Sequence, residues 1–476
     1  MLIRGAEVWG TGSTADVRLE NEHIAAIGDL HAIPGEHVIE AGGGLLLPGL
    51  HDHHIHLAGL AASRASVPCG PPHVVDEDGL ARALSHPGSG WIRGIGFHES
   101  VMSGTLPDAM TLDRLVAHRP LRLQHRTGRM WLLNSLALEE LLSRAAPPPG
   151  LERAAGAFTG RLFDEDGWLQ QALSGSFPDL TAISGDLARF GITGVTDMSP
   201  RNDAVAAQHL ARQRASDTLQ QDLVLAGTLA LGEAVPDGWR LGPAKLHLHE
   251  AALPDFAEAV KFIRIAHESD RSVAAHCVSE VEIVFAVTAF EAAGACPGDR
   301  IEHVSVASPH LVERMAALGL WACVQPHFIR ERGDRYLLDV EPRHIPDLYR
   351  LRTLAKAGIP LAAGSDGPYG GIDPWAAVAT AVGRQTAKGV QIGSSESLTP
   401  GAALALWLSN PLDFTRQRQI AVGEPADVCL LDRPWCKARD HPSAEHVVAT
   451  VIAGKLVYDR VNQSPLERLS DTQAPA

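Results

Sequence analysis

The sequence predicts an α/β protein with a parallel sheet in its middle and a small β-rich domain made from both chain ends. Between residues 240 and 410, apolar runs alternate with segments of helical periodicity in units of about 30 residues, a rhythm typical of parallel sheets. Toward both chain ends, apolar and polar residues alternate singly between turns, as in half-buried strands. Doubly wound and barrel arrangements both fit the β–α rhythm, because periodicity alone does not distinguish them.

The two β-rich ends are expected to form one domain. Near the start of the chain, three segments alternate between turn residues: 2–9, 15–19 and 23–28. Near the end, the same alternation recurs in three further segments: 426–432, 447–452 and 455–458. We therefore assign residues 1–48 and 414–470 to a β-sandwich domain, and residues 49–413 to the domain that contains the parallel sheet.

The composition is that of a soluble globular protein, with 45% hydrophobic and 20% charged residues in a chain of 476. It excludes a disordered chain and a coiled coil, and no run reaches the roughly 18 apolar residues of a membrane span. The net charge of −15 gives no overall attraction to a phosphate backbone, so we expect no nucleic-acid partner. The first residues lack the features of a signal peptide, and we expect a cytoplasmic protein.

The cysteines and histidines favour a metal site built on imidazole. The six cysteines form no CxxC pair, which argues against a disulfide framework or a thiolate zinc site. The 23 histidines are densest between residues 51 and 56, directly after a predicted buried strand at 45–47. Residues two apart in an extended segment face the same side, so His54 and His56 can bind one ion and Asp52 can support them.

Three further metal-ligand residues close later predicted strands. His276 follows the strand at 272–275, His303 lies at the end of the strand that begins at Arg300, and Asp366 follows the strand at 359–363. Active sites of β/α barrels are built at the C-terminal ends of parallel strands. These positions therefore predict one common site.

These motifs resemble the amidohydrolase superfamily. The matching elements are the Pro-Gly-x-x-Asp-x-His-x-His motif at 48–56, the strand-end histidines, Gly364-Ser365-Asp366 and the tail segment 423–428. More narrowly, segments 90–96, 126–138 and 190–197 resemble amidohydrolase family 3. The resemblance implies a (β/α)8 TIM-type barrel over residues 49–413, an insertion at about 65–180, and a small composite β-sandwich.

The resemblance also implies a centre with two divalent ions, which are zinc in such proteins. It assigns His54, His56 and Asp366 to the more buried ion, and His276 and His303 to the second ion. Lys245 lies where many relatives have a carbamylated lysine that bridges both ions. Carbamylation would convert an ammonium that repels cations into an anionic bidentate ligand. His247 or His249, on the same strand face, could substitute for it as a ligand.

The implied reaction is metal-assisted hydrolysis of a C–N bond in a small molecule, namely an amide, a cyclic amide or a carbamate-like compound. Asp366 is expected to act as the general base and acid, and His327 and His249 are candidates to stabilise the oxyanion.

We assign three residues to substrate binding: Arg126, Arg129 and Trp91. Family 3 members usually have histidine where this chain has Arg129, and a guanidinium there favours a carboxylate or another planar anion.

Two other functions stay open. A single-metal aminohydrolase would typically have Glu three residues after His276, whereas this chain has Ser279 there. A catalytically silent barrel that serves as a binding protein would be expected to lose ligands, whereas this chain retains them. The resemblance is also compatible with a homodimer, since dimers are common among relatives.

Overall fold

The computed structural model describes residues 1–85, 90–173, 177–233 and 239–460. The chain divides into two compact units, of which the first contains residues 1–57 and everything from Asp179 on, and the second contains Ala58–Pro178. Strands are numbered β1–β24 and helices α1–α15 in chain order. Within the described ranges, no helix combines the length and the apolar character that crossing a membrane requires.

In the first unit, a mixed sheet joins both ends of the chain. Its strands are β1 (Leu2–Val8), β2 (Thr14–Glu20), β3 (His23–Gly28), β4 (Val38–Glu40), β5 (Leu45–Pro48), β22 (Val428–Leu431), β23 (Val447–Ile452) and β24 (Lys455–Asp459), and helix α15 (Trp435–Ala438) follows β22. The strand order is β24-β23-β22-β5-β1-β2-β3, with β4 also paired to β1. Side chains from both ends share one hydrophobic core, which includes Ile3, Val17, Val428 and Val451.

The second β-rich segment begins later than residue 414. Residues 414–417 belong to a separate two-stranded ladder, β20 (Ser409–Asn410) with β21 (Asp413–Gln417). Phe414 stacks on the barrel residue Trp321 with ring centroids 5.2 Å apart, which holds this ladder against the barrel rather than in the mixed sheet. Residues 461–470 of the predicted segment lie outside the described residues.

The same unit contains a parallel eight-stranded sheet. Its strands are β6 (Leu50–Ile55), β13 (Ile192–Asp197), β14 (Asp222–Gly227), β15 (Arg240–His247), β16 (Val273–Cys277), β17 (Arg300–His303), β18 (Trp321–Val324) and β19 (Leu361–Ala363), hydrogen-bonded in that order. Just beyond β19, the amide of Asp366 donates to the His54 carbonyl at 2.6 Å, and the His56 amide donates to the Gly367 carbonyl at 2.9 Å. These bonds close the sheet into a barrel, which confirms the predicted fold class.

Helices connect most successive barrel strands, as in β–α repeats, and two more follow the last strand. Between β14 and β15 the described residues contain a 3-10 turn instead. The helices are α6 (Thr181–Arg189), α7 (Ala204–Ala215), α8 (Phe256–Glu268), α9 (Glu280–Ala293), α10 (Pro309–Ala317), α11 (Phe328–Asp339), α12 (Leu351–Lys356), α13 (Pro374–Gly383) and α14 (Pro400–Ala405). Short 3-10 turns lie at Leu229–Glu233, Glu250–Ala252, Pro342–Asp347, Ser394–Glu396 and Ala444–His446. The α9 helix begins with a reciprocal capping box between Ser279 and Glu282, which fixes its start sharply.

The predicted strand at 45–47 is present and ends before the first histidine motif, but the motif itself lies inside a second strand that we did not predict. Residues 45–47 belong to β5, which pairs with β22 of the mixed sheet through Leu46 and Leu47. The chain then passes Gly49 and begins the barrel strand β6 at Leu50. The apolar run at 45–47 therefore belongs to the mixed sheet, and the histidines belong to the buried barrel strand β6.

The second unit has its own sheet. Its strands are β7 (Val67–Pro68), β8 (Ile92–Phe97), β9 (Leu121–His125), β10 (Met130–Leu133), β11 (Leu151–Ala154) and β12 (Ala157–Phe163), in the order β11-β12-β10-β9-β8-β7. Its helices are α1 (Leu57–Arg64), α2 (Glu77–Leu84), α3 (Ala109–Leu115), α4 (Ser135–Arg144) and α5 (Asp166–Ala172), with a 3-10 turn at Glu99–Met102. Most of the segment predicted as an insertion, 65–180, belongs to this unit.

Candidate metal centre

Closure of the barrel brings two histidines of the first motif to the aspartate that follows the last strand. The Nε2 atoms of His54 and His56 lie 3.4 Å and 3.2 Å from Oδ1 of Asp366. One potential ligand atom from each of the three residues lies within 4.8 Å of the others. This is a spacing that a single bound cation can span, and imidazole with carboxylate is a common ligand set for zinc.

The later pair of histidines lies beside this group. His303 Nε2 is 2.9 Å from His276 Nδ1, and the rings of His303 and His54 have centroids 4.9 Å apart. The structure thus brings together all five ligand side chains that were predicted from strand ends, at one end of the barrel.

Hydrogen bonds on the far side of the rings determine which nitrogen each histidine can offer. The His54 Nδ1–H donates to Oε2 of Glu302 at 2.5 Å, since a carboxylate only accepts. The His303 Nδ1 is 2.7 Å from Oε1 of Gln325, to which it donates. Both rings therefore keep an unprotonated Nε2, the form in which neutral imidazole binds metals.

Lys245 on β15 is the most informative side chain of the centre. It is buried, and its Nζ has no hydrogen-bond partner among the described residues. Burial lowers the pKa of this ammonium below its ordinary value, which favours the neutral amine that can react with carbon dioxide. A buried lysine without a partner, beside unprotonated imidazole nitrogens, fits a centre that is completed by cations.

The electrostatics of the ligand residues suit metal binding. Burial lowers the pKa of His54, His276 and His303 below the ordinary histidine value, so these rings are neutral. For Asp366, burial opposes ionisation, but the hydrogen bond from His56 and the nearby His303 outweigh it. The pKa of this carboxyl therefore lies below its ordinary range, and the group is an anion at neutral pH.

Two of the ligand residues have unusual backbone angles. His303 has φ of 71° and Asp366 has φ of 55°, in the left-handed region that residues other than glycine rarely adopt. In a regular strand, neighbours such as Glu302 and His303 would face opposite sides. The left-handed turn at the end of β17 instead lets both side chains contribute to one site, Glu302 through the His54 ring and His303 directly.

Asp52 supports the backbone rather than a ligand ring. Its Oδ1 accepts hydrogen bonds from the amides of His54, at 3.1 Å, and Ser365, at 2.9 Å. Burial raises the pKa of this carboxyl to about 7. Asp52 thus links the strand of His54 to the segment of Asp366, at the same seam that closes the barrel.

The two predicted oxyanion donors differ in how their ring protons are used. His327 is buried, and its Nε2–H donates to the Ser365 carbonyl at 3.0 Å, which occupies the one proton of a neutral ring. His249 is exposed, and its Nδ1 accepts from the Ala251 amide at 3.3 Å, so its proton resides on Nε2. His247, exposed at the end of β15, lies against His276 with ring centroids 4.7 Å apart.

The three residues predicted to bind substrate all belong to the second unit. Arg129 is exposed and makes two hydrogen bonds of 2.7 Å to the carboxylate of Asp164. Trp91 donates through Nε1 to Glu140 at 3.0 Å. Arg126 is exposed at the turn after β9.

Sequence reasoning missed Glu302 and Gln325. Both are completely buried, and each hydrogen-bonds the far nitrogen of a ligand histidine. A signal for Glu302 was present, since Arg300-Ile301-Glu302 places two opposite charges on the same face of a predicted buried strand. No pattern around Gln325 distinguishes it from an ordinary strand-end polar residue.

Comparison with known proteins agrees with the fold and identifies the family of the chain. The model of the amidohydrolase family matches residues 37–458. The N-substituted formamide deformylase of Arthrobacter pascens is 25% identical over 90% of this chain and 91% of its own. Two uncharacterized metal-dependent hydrolases have similar folds. That from Pyrococcus horikoshii has a TM-score of 0.74 at 19% identity, covering 91% of this chain and 97% of its own. That from Pyrococcus furiosus has a TM-score of 0.73 at 20% identity, covering 91% and 98%.

The predicted resemblance is thereby confirmed, as is the prediction that the protein is an amidohydrolase-type enzyme. With nearly its whole length matched by one model, the chain belongs to the amidohydrolase family.

Proposed function

We propose that this protein is a metal-dependent amidohydrolase that hydrolyses a C–N bond in a small amide, cyclic amide or carbamate-like molecule. The observation that carries the proposal is the convergence of five candidate ligand side chains. The charge of a buried lysine, Lys245, acts on three of them, and its Nζ has no hydrogen-bond partner among the described residues. Support for a C–N bond comes from the formamide deformylase, which is similar to this chain over nine-tenths of its length.

The ligand residues divide into two groups that would hold two divalent ions, zinc in this proposal. His54, His56 and Asp366 would hold one ion, His276 and His303 the other, and carbamylated Lys245 would bridge them. When bound, such ions lower the pKa of a water molecule and polarise the carbonyl of the substrate.

Asp366 is the residue that moves the proton in this proposal. Its low pKa keeps it ionised, so it can accept a proton from the attacking water. The water oxygen then bonds to the carbonyl carbon, the C–N bond breaks, and Asp366 returns the proton to the leaving nitrogen. The bond from the Asp366 amide to the His54 carbonyl fixes the backbone of this residue, and its carboxylate lies against the Nε2 atoms of His54 and His56.

His249 is the better placed of the two candidates to stabilise the oxyanion. Because its Nδ1 accepts a backbone amide proton, its Nε2–H remains available for donation. The one proton of neutral His327 is already donated to Ser365, which suits a role in holding the segment before Asp366.

The local structure at residue 279 argues against the single-metal aminohydrolase. Ser279 caps α9, with its hydroxyl accepting from the Glu282 amide. Glu282 in turn accepts from the backbone amides of Val278 and Ser279, so it is committed to the cap. Of the two carboxylates in the first turn of α9, Glu282 therefore serves the cap, and Glu280 lies 3.7 Å from Nδ1 of His344.

The first test is metal stoichiometry by elemental mass spectrometry, on protein produced with zinc and bicarbonate. We expect near two ions per chain in the wild type, and fewer in Lys245→Ala and Lys245→Arg, which cannot carry the bridge. Turnover is then measured on amides, cyclic amides, carbamates, N-substituted formamides and amino-substituted heterocycles. One ion per chain, unaffected by Lys245→Ala, together with ammonia release from an aminoheterocycle, would contradict the proposal and favour the aminohydrolase.

A further inference from the structure

Behind the candidate metal centre lies a buried ion pair that no step of the proposed reaction uses. Arg300 and Glu302 are two residues apart on β17, and Arg300 Nε donates to Glu302 Oε1 at 2.6 Å. Both side chains are buried, with 2% and 0% of the residue surface exposed. Burying two charges costs more free energy than exposing them unless their partners are exactly arranged, so this pair requires a structural or functional reason.

The two oxygens of the Glu302 carboxylate accept hydrogen bonds from different partners. Its Oε1 accepts from Arg300, and its Oε2 accepts from Nδ1 of His54 at 2.5 Å. A neutral imidazole carries one N–H proton, so this bond holds that proton on Nδ1. The lone pair then lies on Nε2, on the side of the ring that faces Asp366.

Arg300 is fixed independently of Glu302. Its Nη2 lies 3.4 Å from the carbonyl of His53, to which it donates, and 3.1 Å from the sulfur of Met198. Its guanidinium also lies over the ring of Phe414, 4.9 Å from the centroid. One arginine therefore ties the carboxylate that orients His54 to the backbone of the strand that carries His54.

We propose that Arg300 and Glu302 are positioning residues for the metal centre: the pair fixes the ring of His54 with Nδ1–H on Glu302 and Nε2 directed at the ion. Glu302 sets the tautomer and the orientation of the His54 ring. Arg300 balances the charge of Glu302 and fixes the direction of its carboxylate. The inference rests on the proposed function for its metal, but the orientation of His54 is a property of the metal-free chain.

The test uses the full-length protein and four variants. Glu302→Gln removes the carboxylate charge, and Arg300→Lys keeps the charge but cannot contact Glu302 and the His53 carbonyl together. The double variant Glu302→Leu with Arg300→Leu removes both charges and the acceptor for the His54 Nδ1 proton, so that folding does not depend on an unpaired buried ion. Arg271→Lys is the matched control, because Arg271 is a buried arginine that donates only to backbone carbonyls, including those of Gly242 and Pro243.

The first readout is independent of metal. In metal-free protein labelled with ring-¹⁵N histidine, the His54 signals, assigned by their loss in His54→Asn, are expected to show a protonated Nδ1 and an unprotonated Nε2. We expect this single tautomer in the wild type and in Arg271→Lys, and a mixed or reversed tautomer in the double variant, which has no acceptor for the Nδ1 proton. A wild-type tautomer in the double variant would overturn the proposal.

The second readout is the affinity of the metal-free protein for Zn²⁺, measured in competition with a chelator. We expect Glu302→Gln and the double variant to bind about 10- to 100-fold more weakly than the wild type, Arg300→Lys to change in the same direction by less, and Arg271→Lys to be unchanged. Wild-type affinity in the double variant, or an equal loss in Arg271→Lys, would overturn the proposal. A wild type that binds no ion but retains the expected His54 tautomer would refute the proposed function and leave the orientation of His54 established.

Discussion

His303 Nε2 and His276 Nδ1 lie 2.9 Å apart, close enough to share a proton. Because His303 donates through Nδ1 to Gln325, its Nε2 accepts, and His276 must be the donor of this bond. If the two residues hold one ion, as we propose, each must offer a nitrogen lone pair, and Nδ1 of His276 could do so only after its proton moved to the other ring nitrogen. The hydrogen bond between the two rings therefore competes with metal binding through these two nitrogens.

His54→Ala should remove the ion at the more buried position and abolish turnover. The reason is that His54 contributes the only ligand nitrogen on β6 that the Arg300–Glu302 pair holds in place. Metal content per chain and turnover are the measurements. His51→Asn is the control, since His51 lies on the same strand but bonds Thr196 through Nε2. Full turnover in His54→Ala would contradict the site.

Asp366→Asn should lower kcat by about 10²- to 10⁴-fold, the usual contribution of general acid–base catalysis. KM should change far less, because the amide retains the shape of the carboxylate but cannot accept the proton. Since Asp366 is also a proposed metal ligand, the two proteins are compared at equal metal content per chain. Steady-state kinetics separate the two constants. A rise in KM with kcat unchanged would instead indicate that Asp366 acts only in binding.

Arg129→Met should lower kcat/KM selectively for anionic substrates, by about 10- to 100-fold if one charge-assisted contact is lost. Asp164→Asn should do the opposite, because it frees the guanidinium from its ion pair with Asp164. The pair of variants is compared on neutral and anionic amides of equal size. Equal effects on both substrates would exclude Arg129 as the residue that sets specificity.

The metal-free protein should lose stability as the pH falls below about 6.5. Burial lowers the pKa of a group of histidines below that ordinary value: His51, His53, His54, His276, His303 and His327. Below pH 6.5 the unfolded chain binds more protons than the folded chain, so the free energy of unfolding falls, by at most about 1.4 kcal/mol per pH unit for each histidine.

The melting temperature of metal-free protein between about pH 8 and 5 checks this prediction. His53→Phe is the matched variant, because His53 is buried beside Phe414 and neither of its ring nitrogens has a hydrogen-bond partner among the described residues. This variant should melt with a shallower pH dependence. A melting temperature that is constant or rises on acidification would contradict the prediction.

The sequence analysis succeeded where local pattern and tertiary structure agree. The segments of helical periodicity between the apolar runs are helices in the structure, α9 (Glu280–Ala293) among them. The capping box and apolar content of α9 act within the segment. The strand-end positions of His276, His303 and Asp366 were likewise readable, since each follows an apolar run. The break between β5 and β6 was not, because Leu46 and Leu47 pair with strand residues about 380 positions later.

The contribution of Glu302 could not be predicted for a related reason. Strand alternation places Glu302 and His303 on opposite faces, and only the left-handed backbone at His303 brings both to the metal centre. That angle depends on the packing around the end of β17 and has no signature in residue type. Gln325 likewise acts through a hydrogen bond across two strands, which one sequence does not reveal.

The closing hydrogen bond between Asp366 and His54 also determines when the site can form during synthesis. His56 and Asp366 are 310 residues apart in the chain, so the histidines of the first motif leave the ribosome long before their carboxylate partner exists. Contacts of such long range form late in folding, after intervening segments are ordered. A nascent chain that ends before β19 should therefore retain no tightly bound ion, and metal retention should report completion of the barrel.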